Sequence, residues 1–241
     1  MRDQGSQYSF PPIVRTSIDQ DEPGQYAGAA ELINRGGFDV VCLQHEFGIF
    51  GGVAGNYILE LIQALHVPLV TTLHTILDQP TAAQRAVMIA IVKASVRVVV
   101  MARMARDILI DVYGTDPARI VVIPHGIPEY PFVDSGPAKA KLGFSGKKVV
   151  LTFGLLSPGK GIEMMIDAMP QIIDRSPDAV YVVMGATHPN LIREAGETYR
   201  QTLIERVVAL SLENHITFLD QFVVRPALLE HIAMSDVYVT P

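Results

Sequence analysis

Short β-branched runs alternate with longer amphipathic ones along almost the whole chain, and this alternation restricts the fold more than any other feature. Runs such as "VVCL", "VRVVVM" and "VYVVMG" are apolar at consecutive positions rather than at every second one. A strand of that kind is buried on both faces, the condition inside a parallel sheet covered by helices. The pattern predicts strands at 13–18, 39–44, 68–74, 96–101, 120–123, 148–153, 179–184, 216–219 and 236–240. Between them it predicts helices at 25–34, 54–65, 81–94, 102–113, 161–175, 191–210 and 226–234. Thr81 followed by Gln84 has the spacing of a capping box, which would start the third helix at that point. The fold class that follows is α/β, with doubly wound layers of parallel strands and helices.

The alternation breaks once, at "PHGIPEYPFVDSGPAKAKLGFSGKK", where four prolines and four glycines disfavour a strand or a long helix. The division expected is therefore a first Rossmann-like domain at 1–130, a linker at 131–147 with a short helix near 138–142, and a second Rossmann-like domain at 148–241. Paired domains of this kind bind ligands in the cleft between them. Both domains are expected to be partial, because the opening "MRDQGSQYSFPP" is polar and irregular and the last expected strand runs up to Pro241.

Of the 241 residues, 49% are hydrophobic and 18% charged, which is material for a sizeable core and argues against intrinsic disorder. A formal net charge of -6 argues against a nucleic-acid partner held through its phosphates. Five of the six lysines fall between Lys139 and Lys160, a clustering that suits a solvated face. The single cysteine, Cys42, lies in a run expected as a buried strand, so it is expected as a small core hydrophobe in a reducing compartment. No apolar run approaches the ~18 residues of a membrane span, and a secretory leader is not evident, so a cytoplasmic protein is expected.

Two glycine-rich turns carry the candidate chemistry. "GLLSPGKG", Gly154 to Gly161, falls between an expected strand and an expected helix and comes close to the phosphate-cradling G-x-x-x-x-G-K-[ST] pattern. Gly161 stands where that pattern needs a Mg²⁺-holding hydroxyl, and Pro158 removes one amide N–H from the cradle. Nucleoside-triphosphate hydrolysis is thereby made a distant alternative. A lysine at a helix N-terminus is still suited to an anion, although a plain glycine turn with an exposed lysine fits the same residues. The second turn, "HEFGIFGGVAGN", lets a ligand approach the backbone at Gly51 and Gly52 beside His45 or Glu46. It reads equally as a strand-to-helix turn that needs positive φ. "HEFGI" lacks the second histidine of a zinc protease, no G-x-S-x-G elbow occurs, and His66, His188, His215 and His231 lack ligand spacing, so no metal is expected. Met164, Met165 and Met169 recur at helical spacing and suit a core.

Four motifs, in order, resemble those of the glycosyltransferase group 1 family, whose members have the GT-B fold. "VPLVTTLHT" is similar to its strand ending in histidine, "VVIPHGIPEYPF" to its interdomain connection, "GLLSPGKGIEMMIDAM" to the segment that opens its donor domain, and "SDVYVTP" to the strand before its paired glutamates. They span about two-thirds of the chain. The resemblance implies a GT-B-like enzyme that moves a hexosyl group, with retention, from a nucleotide-diphosphate sugar to a glycan, lipid-linked or small-molecule acceptor. It implies no metal and no cofactor beyond the donor, no nucleic acid, and at most a peripheral contact with a membrane. It further implies that Lys160, with Gly159 and Ser157, meets the donor diphosphate, and that Gly185 with "ATHPN" and Phe222 line the nucleotide pocket. His74 would be the catalytic residue near the reacting sugar, and Glu46, Gly51 and Gly52 would form the acceptor-side loop. The sequence departs from the family pattern at Leu155 and His125, where arginine and asparagine are usual, and the paired glutamates would follow Pro241. A non-catalytic piece that binds a nucleotide sugar or a partner is the alternative.

Overall fold

The computed structural model describes residues 1–2, 9–127 and 129–241, without the side chain of Asn190. Pro128, inside the expected connection motif, lies outside them. The chain divides into two compact units, Met1–Pro128 and Glu129–Pro241.

In the first unit, strands β1 (Val41–His45), β2 (Leu69–Leu73), β3 (Arg97–Val100) and β4 (Ile120–Val122) form one sheet in sequence order, every pair parallel. Helices α1 (Pro23–Arg35), α2 (Ile58–Ala64), α3 (Ala82–Ala94) and α4 (Arg103–Asp111) connect and flank them. Helix α3 starts as its sequence predicts. The Thr81 hydroxyl accepts from the Gln84 amide at 3.3 Å, and the Gln84 side chain accepts from the Thr81 amide at 2.9 Å. Its Val87, Met88, Ile91 and Val92 then fall on one stripe and enter the core.

Three expectations for this unit change. Residues 13–18 form no strand: Ile13 is 82% exposed, and the run is held at its end, where Ile18 packs on the core and its carbonyl accepts from the Arg2 amide at 2.8 Å, too short a pairing for a ladder. Cys42 is exposed rather than in the core. Strand β1 alternates, with Val41 and Leu43 half-buried, His45 buried, and Cys42 and Gln44 on an open face. The helix expected from residue 54 begins at Ile58, because Gly52 and Gly55 at φ +80° and +75° hold the preceding residues in a 3₁₀ turn.

The second unit repeats the logic more completely. Strands β5 (Lys148–Phe153), β6 (Ala179–Met184), β7 (Ile216–Leu219) and β8 (Val237–Tyr238) lie in the order β7-β6-β5-β8, all parallel. The helices are α5 (Ser135–Leu142), α6 (Ile162–Arg175), α7 (Pro189–Ala195), α8 (Thr198–Ala209) and α9 (Arg225–Met234). All of β6 is buried, and its residues divide by parity between two cores. Tyr181 and Val183 join Ile162, Ile166, Met169 and Leu203 on one face; Val180, Val182 and Met184 join Val149, Leu151 and Met234 on the other. This two-sided burial is why "VYVVMG" is apolar at every position.

The single helix expected at 191–210 is two, α7 and α8, separated at Gly196, whose φ of +61° ends the first. The stretch expected as a linker carries α5, which is capped by Asp134 and ended by Gly143 at φ +82°. It packs on α9 within the second unit, where Lys139 pairs with Asp236 at 2.6 Å and Lys141 with Glu230. The lysine cluster is therefore only partly a solvated face, since the Lys139 side chain is 12% exposed. No helix among the described residues is long and apolar enough to cross a membrane.

Candidate functional site

In the second unit the candidate residues collect where β5, β6 and β7 end, the edge at which open parallel sheets hold their ligands. The two central strands stay paired beyond their ends. The Gly154 amide donates to the Met184 carbonyl at 3.0 Å, Leu156 to Ala186 at 2.9 Å, and His188 to Leu156 at 2.9 Å. The approach is close enough that a Cβ on Gly185 would lie 1.9 Å from the Gly154 carbonyl oxygen. Leu156 is buried and anchors the turn.

From there Ser157 runs extended into a 3₁₀ turn, Pro158–Lys160, and Gly161 at φ +63° reverses the chain into α6. Proline suits the first position of such a turn, where its missing N–H leaves no bond unmade. The Lys160 side chain folds back so that Cε and Nζ lie 3.8 Å from where a Gly154 Cβ would stand. Its ammonium group thus overhangs the glycine turn beside the N-terminus of α6, which has no side-chain cap. The two positive ends add.

A cavity of about 160 Å³ opens beside this turn, lined by Phe153, Gly154, Leu155, Gly185, Ala186 and Phe222 among others. The Phe222 ring, 83% exposed, forms its outer wall. Gly185 and Phe222, predicted together, share this cavity, and Gly154 links it to Lys160. Ser157 and Gly159 lie in the adjoining turn and do not line it. Sequence reasoning missed Gln221 and the buried Arg200, whose guanidinium reaches the Gly185 carbonyl at 2.7 Å. No sequence signal marked Arg200, which reads as one more charge on a helix.

In the first unit the ends of β1 and β2 bring polar groups together. The His74 amide donates to the His45 carbonyl at 3.0 Å, a hydrogen bond of 2.8 Å joins His74 Nε2 and Gln44 Oε1, and Thr75 Oγ1 donates to Glu46 Oε2 at 2.7 Å. The exposed His74 ring lies 6.3 Å, centre to centre, from that of His125. His45 is fully buried, stacked on Phe50 at 5.7 Å and edge-on to Phe47 at 5.0 Å, with neither ring nitrogen partnered. Burial pushes its pKa down to about 4, against a smaller opposing effect of the Glu46 carboxylate.

The glycine loop that follows is tightly packed. The Gly51 amide donates to the Tyr26 hydroxyl at 3.0 Å, Tyr26 donates to the Gln20 carbonyl at 2.9 Å, and a Cβ on Gly51 would lie 2.0 Å from that same oxygen. Gly51 is accounted for by this packing, and Gly52 by its φ of +80° with Asn56 and Tyr57 against it. Glu46 is held beside His74 through its bond from Thr75.

Comparison with known proteins agrees with this geometry. The model of Glycosyltransferase Family 4 matches residues 6–129, and that of Glycosyl transferases group 1 matches residues 135–241. A D-inositol 3-phosphate glycosyltransferase of Kineococcus radiotolerans is 28% identical over 194 residues, covering 73% of this chain and 43% of that protein. Its Rhodococcus jostii namesake is 32% identical over 170 residues, 64% of this chain and 36% of that one. The chain thus spans less than half the length of these relatives. Among solved structures, that of Anabaena HepE in complex with UDP and glucose superposes with a TM-score of 0.72 at 20% identity, covering 91% of this chain and 58% of that one. At that identity the likeness establishes the GT-B fold.

Proposed function

Because the chain belongs to the group 1 glycosyltransferases, we propose that its second unit binds a nucleotide-diphosphate sugar and that its first unit presents the acceptor side of a retaining, metal-independent transfer of a hexosyl group. The observation that carries this reading is the Lys160 ammonium held over the Gly154 turn, beside the N-terminus of α6 and the cavity of Gly185 and Phe222. Lys160 and the α6 N-terminus meet the diphosphate, whose charge grows as the glycosyl bond breaks, and electrostatic preorganisation of this kind lowers the barrier without a metal. The cavity takes the nucleoside, with Phe222 as an aromatic wall for the base. That HepE binds UDP and glucose, and that relatives are named for transfer to a phosphorylated inositol, supports a nucleotide-sugar donor and a hydroxylated acceptor, carbohydrate or lipid-linked.

Lys160→Ala should weaken binding of a nucleoside diphosphate by about ten- to hundredfold, the equivalent of roughly 1.5–3 kcal/mol for a charge-assisted contact. Lys160 is exposed, so the variant should unfold at the same urea concentration as the wild type. Titration calorimetry at moderate salt measures the first quantity, and equal affinities would refute the diphosphate role.

His74 stands at the C-terminal end of β2, hydrogen-bonded to Gln44, with its ring open to solvent. We assign it a contact with the reacting sugar rather than with the nucleotide. His74→Ala should lower the turnover of sugar transfer by about tenfold or more while donor affinity stays within a few-fold. A loss of donor affinity with unchanged turnover would reverse that assignment.

A further inference from the structure

We propose that Arg200 is a positioning residue that sets the spacing between the two loops walling the Gly185–Phe222 cavity, and so the grip on the nucleoside; this rests on the assignment of that cavity made above. Arg200 lies on α8 with Leu203 and Val207, both buried in the core. Its side chain is only 7% exposed, and a guanidinium there needs partners. Nη2 donates to the Gly185 carbonyl at 2.7 Å and forms an ion pair with Asp220 Oδ1 at 2.6 Å. Nε donates to Glu197 Oε2 at 3.3 Å, and the same carboxylate oxygen accepts from Thr187 Oγ1. Nη1 is buried without a partner.

Charge neutralisation alone would be met by Glu197, one helical turn away. The shortest bonds go instead to two loops. Gly185 and Thr187 follow β6, while Asp220 follows β7 and stands two residues before Phe222. The parallel ladder between those strands ends at Met184 and Leu219, and the Gly185 amide bonded to the Leu219 carbonyl at 3.0 Å is its last link. Among the described residues no backbone hydrogen bond joins 186–188 to 220–223 beyond it. The guanidinium, planar and able to donate in several directions at once, bridges the loops where the sheet no longer does. Ala186 on one side and Gln221 and Phe222 on the other face the cavity across that bridge.

The test compares the wild type with Arg200→Met, Arg200→Lys and Lys160→Ala, using UDP, GDP, ADP and inorganic diphosphate as probes. Arg200→Met keeps the aliphatic stem and removes every donor. It should speed amide hydrogen exchange at 185–187 and 220–223 by about tenfold, with other elements unchanged. It should weaken the preferred nucleoside diphosphate by about tenfold and leave inorganic diphosphate within about twofold. Arg200→Lys can reach Gly185 or Asp220 but not both, and should recover part of the loss. Lys160→Ala should show the opposite pattern, with weaker diphosphate binding and unchanged exchange. If Arg200→Met does not fold, Asp220→Ala replaces it, since that half-exposed side chain holds only the β7 loop and should loosen 220–223 in the same way. Unchanged exchange in both loops overturns the proposal, as does looser exchange with undiminished nucleotide affinity. If the loops loosen but the wild type binds none of the three nucleotides, the assignment of the cavity to a nucleoside is what fails, and the proposal falls with it.

Discussion

Gly185→Ala should destabilise the second unit by about 3 kcal/mol or more. The added Cβ would lie 1.9 Å from the Gly154 carbonyl oxygen and 2.8 Å from its carbon, so backbone rather than a flexible side chain would have to move. The residue also sits at φ +149°, where an L side chain is strained whatever the space around it. Relief requires β5 and β6 to part at their ends, which would break the bonds from Gly154 to Met184 and from Leu156 to Ala186. The same movement would open the cavity, so any fraction that folds should bind nucleotide poorly. Gly159→Ala is the matched control, because a Cβ there meets nothing within 4 Å. Urea unfolding of both variants checks the prediction; equal midpoints would mean that the close approach of these two loops does not exist in solution.

His45 should make the first unit sensitive to acid. Its ring is buried between Phe47 and Phe50, with neither nitrogen hydrogen-bonded, and burial lowers its pKa from an ordinary 6.5 to about 4. Between those values the unfolded chain takes up a proton that the folded chain refuses. Stability is therefore fully present above about pH 6.5 and is lost as the pH falls towards 4, by about 3 kcal/mol from this residue. His45→Leu, of similar volume, should remove that part of the pH dependence and cost little at neutral pH, since it buries no unpaired nitrogen. The measurement is the difference in unfolding free energy between wild type and variant at several pH values from 7 to 4. A constant difference would show that His45 keeps an ordinary affinity for protons, through water or a partner not seen among the described residues.

These two residues also mark the limits of reading the chain as a string of letters. The alternation of apolar runs and amphipathic stretches was sufficient for the α/β class and for eight of the nine expected strands, because consecutive apolar residues suit a strand covered by helices on both faces, as β6 is. The start of α3 was equally legible, since a capping box is a local bond between residues three apart. Lys160 and its glycine turn could be found from spacing for the same reason: turn, lysine and helix N-terminus are neighbours in the chain. Where the sequence misled, the deciding partner was distant or missing. Cys42 is exposed because the face of β1 that bears it lies open, and residues 13–18 stay out of the sheet because Ile18 bonds to Arg2 rather than to a sheet strand. Gly196 divides a helix through one positive φ that the surrounding helical pattern conceals. Gly185 is irreplaceable only because Gly154 passes against it, 31 residues away in sequence, and Arg200 acquires a role only when the ends of β6 and β7 come together over α8. Local bonds and burial periodicity are written along the chain. Close approach of separate loops, and the choice of partner for a buried charge, depend on coordinates that folding alone supplies.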